Sequence, residues 1–220
     1  MAPRDANIEL GDLVDSAGRQ IAANEAAAAA FLEFFRDSKI VDPSSGRPLL
    51  LLHGTRPGND IRQFHIAEHG HEGIYFTPDP QYAQSYTCDI SGRDEQAAGA
   101  IYPVYVSIKN PFVVLANDDS PEWEQFVYRG FNRSEMISKG FDGAVLQHRP
   151  SGEIDQVVAY FPEQIKSAIG NLGSFDKANP DITDGNTLQI GVRIDMDECP
   201  LAALTCERDR EQKSRRRFRP

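Results

Sequence analysis

The chain has 220 residues, 40% hydrophobic and 25% charged, with a net charge of −10. That length and balance suit one globular domain, or a domain with a tail, able to bury a core without staples. The acidic balance argues against a uniform nucleic-acid binder, which needs basic surface to neutralise phosphates, and no apolar run approaches the ~20 residues of a membrane-spanning helix.

Residues 1–18 are polar and Gly-punctuated, which predicts a frayed start. Alanine dominates residues 22–30 and an apolar end follows at Phe31, Leu32, Phe34 and Phe35, so a helix is predicted over Ile21–Asp37. Asp42–Pro43–Ser44–Ser45–Gly46 is a turn. Leu49–Leu52 is a short apolar strand that runs into His53–Gly54–Thr55. Residues 56–72 read as a loop, and Gly73–Thr77 as a second strand. Pro78–Asp79–Pro80 opens a helix over about 81–88, with proline in the first turn, where N–H groups lack partners anyway.

Ile101–Ile108 alternates as a strand, and Asn110–Pro111 turns the chain into Phe112–Leu115. Ser120–Pro121–Glu122 caps a helix running to about Tyr128; a second spans 133–139 and stops at Gly140. Phe141–Gln147 and Gln156–Phe161 are strands around a turn at 150–152, and Pro162–Ser167 is a short turn or helix. Residues 171–186, rich in Asn, Gly, Pro and Asp, suggest a boundary; Thr187–Met196 alternates like a strand. The Arg215–Arg216–Arg217–Phe218–Arg219 end is expected to be a mobile solvated tail.

The division expected is a flexible segment over 1–20, a main domain over 21–182, and a C-terminal strand plus charged tail over 183–220. Six or so short strands without regular interleaved helices predict an α+β fold: two small packed antiparallel or mixed sheets with peripheral helices.

Cys88, Cys199 and Cys206 are too few and too scattered for a disulfide framework, so free thiols are expected. Met1–Asp15 lacks an apolar stretch, so no secretory signal is visible. The expectation is a cytoplasmic protein, or one delivered into a host cell by a specialised secretion system, which needs no such signal. His65, His69 and His71 have a loose spacing without a cysteine. They are read as a loop lining a cleft, and no metal is expected.

Three features carry chemistry when taken together: His53–Gly54–Thr55 closing one strand, Gly73–Ile74–Tyr75–Phe76–Thr77 as the next, and Tyr86 eleven residues after Tyr75. In this order they resemble the ADP-ribosyltransferase fold of the diphtheria-toxin and poly(ADP-ribose) polymerase branch. A longer resemblance, from Phe31 to Ile182, is to the ADP-ribosyltransferase domains of phage-encoded polyvalent proteins. Its matching pieces include Asp37–Asp42, Pro48–Thr55, Gly73–Thr77, Tyr102–Tyr105 with Ile108–Pro111, Phe141–Gly143, Gln164–Ala168 and Phe175–Ile182.

The resemblance implies NAD as co-substrate. Nicotinamide is a flat cation, and stacking between Tyr75 and Tyr86 would contribute about 0.5–2 kcal/mol. Gly54 lets backbone approach the carboxamide, Thr55 completes the motif, and His53 would bond a ribose hydroxyl. Breaking the glycosidic bond develops an oxocarbenium-like sugar that a carboxylate stabilises. The family's Glu, counted back from Gln164–Ile165, falls on Gln156. Asp155 precedes it and Glu153 lies two further back. Either acid takes the role after a register shift, or Gln156 supports slower single-unit transfer, or the site binds NAD without turnover. Ala83 stands where the polymerase pattern has a Ser, which removes one hydrogen bond, about 0.5–1.5 kcal/mol.

The leading expectation is mono-ADP-ribosyl transfer to a macromolecule, most simply a protein with a basic patch, by a bacterial or phage effector. NAD hydrolysis and a degenerate binding module are the alternatives. Neither membrane nor nucleic acid is expected as a partner.

Overall fold

The computed structural model describes residues 13–56, 61–66, 72–87, 99–116, 120–148, 151–171, 173–184 and 192–194. All three cysteines, His69, His71 and the arginine-rich end lie outside these residues, as does most of the strand expected over 187–196.

Two four-stranded sheets form an α+β domain. In chain order the elements are α1 (Glu25–Phe35), β1 (Leu51–Thr55), β2 (Ile74–Phe76), α2 (Pro80–Gln84), β3 (Gly99–Val106) and β4 (Pro111–Leu115). Then come α3 (Pro121–Tyr128), α4 (Arg133–Ser138), β5 (Gly143–Gln147), β6 (Ile154–Ala159), β7 (Ile165–Ser167) and β8 (Val192–Ile194). Long β3 is the spine of the first sheet. Antiparallel β1 covers one edge, with His53 opposite Tyr102. Antiparallel β7 and β8 share the other edge, β7 opposite Val104–Val106 and β8 opposite Gly99–Ile101. The second sheet runs β2-β6-β5-β4, with β4 and β5 parallel and the other pairs antiparallel.

Sequence and structure differ at element ends for local reasons. Helix α1 starts at Glu25 rather than Ile21, because the Asn24 side chain accepts from the Ala27 N–H and closes the first turn. The preceding residues are held elsewhere: the Ile21 N–H donates to the Leu13 carbonyl, and Leu13 and Ala22 are buried. Residues 13–22 are therefore packed rather than frayed. Buried Asp15 anchors them, accepting from Arg19 Nε and from the Tyr105 hydroxyl at 3.0 Å. The stretch 162–167 is both a 3-10 turn, Pro162–Gln164, and strand β7, all three residues of which are buried. The Asn/Asp/Gly-rich stretch after β7 folds back onto the core, burying Phe175 and Ile182.

Two apolar clusters hold the layers. One runs from α1 through the first sheet to Phe76, Val145 and Val157 of the second, and in it Phe31 meets Tyr105 edge-on at 5.2 Å and Phe175 at 5.1 Å. The other packs Phe126 of α3 and Met136 of α4 against Ala144, Leu146 and Val158 of the second sheet. No described helix is long and apolar enough to cross a membrane.

The sheets meet edge to edge at a seam between β1 and β2. Leu52 and Thr77 exchange two backbone hydrogen bonds, of 2.8 and 3.0 Å, which brings the edges β1 and β2 side by side.

Candidate functional site

A cavity of about 1000 Å³ opens at this seam. Its walls are β1 from Leu52 to Thr55, β2 from Gly73 to Thr77, the turns of α2 carrying Tyr82, Ala83 and Tyr86, the segment 61–65, and Phe126, Val127 and Gln156. His53, Gly54, Thr55, Tyr75 and Tyr86 thus line one space. Glu153 and Asp155 are not on its lining.

His53 is pinned on three sides. Its ring meets Phe64 edge-on at 4.9 Å and lies 5.7 Å from Phe76. Its Nδ1 is 2.8 Å from the Tyr75 carbonyl oxygen. That oxygen can only accept, so Nδ1 carries the hydrogen and Nε2 keeps a lone pair. Burial disfavours the imidazolium and lowers the pKa below the ordinary 6.5; the bond to Tyr75 opposes this with a smaller effect. His53 is therefore neutral at pH 7, with a hydrogen-bond acceptor on the cavity lining. Because the folded pKa is lowered, the stabilising contribution is complete above 6.5 and is lost as pH falls through the folded value. A side-chain ¹⁵N titration is expected to show the Nδ1–H tautomer with its midpoint below 6.5; a midpoint above it would contradict the arrangement.

Tyr75 packs edge-on against Phe126 at 6.3 Å, and burial, with Tyr86 adding to it, pushes its phenol up to about 12. Tyr75 is thus uncharged, a rigid apolar wall. Tyr86 is 53% exposed and stands at the cavity rim.

Gly54 has a role the sequence reading missed. A Cβ there would lie 1.9 Å from the Ala83 carbonyl oxygen and 3.2 Å from Tyr86 Cβ. The glycine is needed so that α2 can lie against β1, which is what places Tyr86 over the cavity. Buried Ala83 lies directly against it.

The acid question turns on a β-bulge. Leu146 pairs with Gln156 but Gln147 pairs with Ile154, so Asp155 is an extra residue on β6. Bulges re-aim neighbouring side chains. Ile154 and Val157 both enter the first core cluster, while Gln156 reaches the cavity. The Asp155 carboxylate instead lies 3.9 Å from His148 Nε2 in a half-exposed pair. The Glu153 carboxylate is exposed beside the Ser151 hydroxyl. Buried Thr77 fixes the bulge: its hydroxyl donates to the Asp155 carbonyl at 3.0 Å and accepts from the Asp79 N–H at 3.1 Å. One side chain thereby ties together the bulge, the seam and the start of α2.

Among the described residues no carboxylate lines the cavity, and Arg62 is the one arginine or lysine on it. No cluster of three His, Cys, Asp or Glu able to hold a metal exists among them either, although His69 and His71 lie outside that description. Tyr82, Phe64 and Arg62 are among the site residues that sequence reasoning did not single out. Tyr82 was findable: it sits four residues before Tyr86, on the same helical face.

A family model described as ADP-ribosyltransferase in polyvalent proteins matches residues 43–175, more than half of the 220-residue chain. The match contains β1 through β7 and the whole described lining of the cavity. No curated protein matches the sequence.

Proposed function

The chain belongs to the ADP-ribosyltransferases of polyvalent proteins, and from that premise we propose that it binds NAD in the seam cavity and transfers a single ADP-ribose unit to a protein. The observation that carries this reading is the convergence of His53, Tyr75 and Tyr86 on one cavity, with His53 held as a neutral acceptor.

In this reading the nicotinamide ring stacks between the Tyr75 and Tyr86 walls, where cation–π contact adds about 0.5–2 kcal/mol before the bond breaks. The backbone of Gly54 holds the carboxamide. His53 Nε2 accepts from a hydroxyl of the nicotinamide ribose. Arg62 is the cation available to the diphosphate. The bond from the ribose anomeric carbon to the ring nitrogen then breaks, and nicotinamide leaves as a neutral base with the bonding electrons. An acceptor oxygen or nitrogen forms the new bond at that carbon and gives up its proton to solvent.

Gln156 supplies an amide dipole where a carboxylate would supply a full charge. That supports slow single-unit transfer over chain elongation, because a dipole stabilises the developing sugar cation less. The same observation favours one rival, a fold retained for NAD binding alone. A bacterial or phage effector acting on a host protein is the setting proposed, with no metal required.

Incubation of the purified chain with adenylate-labelled NAD and a host-cell lysate separates these readings. Transfer predicts nicotinamide release with label on protein. Label only in free ADP-ribose indicates hydrolysis, and no nicotinamide release contradicts catalysis. Gln156→Glu is expected to raise release about ten-fold, by placing a charge where the dipole stands.

A further inference from the structure

Tyr82 lies on the cavity wall and touches two of its functional groups. The Gln156 amide nitrogen donates to the Tyr82 hydroxyl at 3.4 Å. The Tyr82 and Tyr86 hydroxyl oxygens are 3.1 Å apart, and their rings meet edge-on at 5.5 Å. A phenol has one hydrogen to give and lone pairs to receive. Accepting from Gln156, Tyr82 can donate to Tyr86, so the three side chains form one directional chain across the cavity mouth.

We propose that Tyr82 is a positioning residue for the transfer reaction: its hydroxyl orients the Gln156 amide so that the carbonyl end faces the sugar. This rests on the proposed transferase reading and deepens it. A free Gln side chain presents either end of its amide to a ligand. The NH₂ end would repel a developing sugar cation, and the oxygen end attracts it. The bulge at Asp155 turns the Gln156 side chain toward the cavity, and the bond to Tyr82 occupies the NH₂ end. With the nitrogen drawn to Tyr82, the amide is held in one orientation and its oxygen is the end left without a bond to Tyr82.

The arrangement also accounts for a tyrosine at a partly exposed helix position beside a second one. Tyr86 is 53% exposed and lies two residues past the end of the five-residue α2. Its ring meets that of Tyr82 edge-on, a contact that Tyr82→Phe keeps.

The test is a double-mutant cycle read by nicotinamide release from NAD. Tyr82→Phe keeps the ring contact and removes the hydroxyl. It is expected to lower kcat about ten-fold while KM for NAD changes less than about two-fold, with the melting temperature unchanged. In a Gln156→Ala background the same substitution is expected to have little further effect on kcat, because there is no amide left to orient. A purely structural Tyr82 would give equal losses in both backgrounds, and that additivity overturns the proposal. So does a Tyr82→Phe variant with the parent's kcat. A parent chain that releases no nicotinamide overturns the transferase reading, and this inference with it.

Discussion

Adding one methyl group at position 54 is expected to lower nicotinamide release from NAD about a hundred-fold or more, because displacing a wall of the site by about an ångström is enough to lose that factor. The Gly54→Ala methyl would lie 1.9 Å from the Ala83 carbonyl oxygen and 2.9 Å from the Ala83 carbonyl carbon. Both are backbone atoms, so no side-chain rotation relieves the contact. The first turn of α2 is anchored from behind by Asp79, whose side chain accepts from Gln81 N–H and whose N–H donates to Thr77. The strain must then move α2 outward, carrying Tyr82 and Tyr86 with it. The loss of stability should be modest, about 1–3 kcal/mol for an overpacked contact. The signature is a folded protein with a small drop in melting temperature and a large drop in release. A Gly54→Ala variant retaining a third or more of the parent rate would contradict this packing.

Asp184→Ala is expected to cost about 3–5 kcal/mol of folding stability, the loss typical of removing one partner from a buried ion pair. The Lys166 side chain is fully buried and that of Asp184 is 5% exposed, with Nζ and Oδ1 3.3 Å apart. Nζ also donates to the carbonyls of Asn179 at 2.5 Å and Asp181 at 3.2 Å. The ammonium thus sits where a loop-binding cation would, closing residues 179–184 around itself. Asn171 and Ser174 donate to the other Asp184 oxygen. Without that carboxylate the ammonium keeps two carbonyls and only the weaker attraction of Asp176 and Asp181. Its pKa is already below the usual lysine range, burial outweighing the attraction of Asp184, so the variant has little further room to hold a charge there.

The consequence reaches the cavity. Ile182 N–H donates to the Arg62 carbonyl, and Gln63 pairs with Asp181. The wall carrying Arg62 and Phe64 is therefore fastened to the segment that Lys166 holds. Chemical denaturation measures the loss, and replacing both charges, as Lys166→Met with Asp184→Ala, should recover part of it. A single Asp184→Ala variant within about 1 kcal/mol of the parent would mean that the pair contributes little.

The features legible in the sequence were the local ones. His53–Gly54–Thr55 and Gly73–Thr77 are short strands whose chemistry is written in consecutive residues, and Tyr86 follows at a fixed helical offset. All five proposed nicotinamide-side residues line one cavity. What stayed hidden was decided by pairing. Whether Asp155 or Gln156 turns inward depends on one extra residue in β6, set by its register against β5 and by the Thr77 hydroxyl. No periodicity within β6 reports that. A second reason for Gly54 was also non-local: the sequence suggested close approach to a ligand, and the structure adds a close approach to α2. Nothing in Gln164–Ala168 foretells that Lys166 is buried; its partners Asn179, Asp181 and Asp184 come from the stretch that returns onto the core. The α+β class and the two small sheets, one antiparallel and one mixed, followed from strand lengths and spacing, while the seam at Leu52 and Thr77 did not.

The central claim is that NAD occupies the cavity between β1 and β2. Titrating NAD into the ¹⁵N-labelled chain and following backbone amide shifts tests it directly. The account predicts saturable shifts concentrated at Leu52–Thr55, Gly73–Thr77 and Tyr82–Tyr86, with Arg133–Ser138 of α4 unmoved. Shifts confined to residues away from the seam, or none at millimolar NAD, would contradict it.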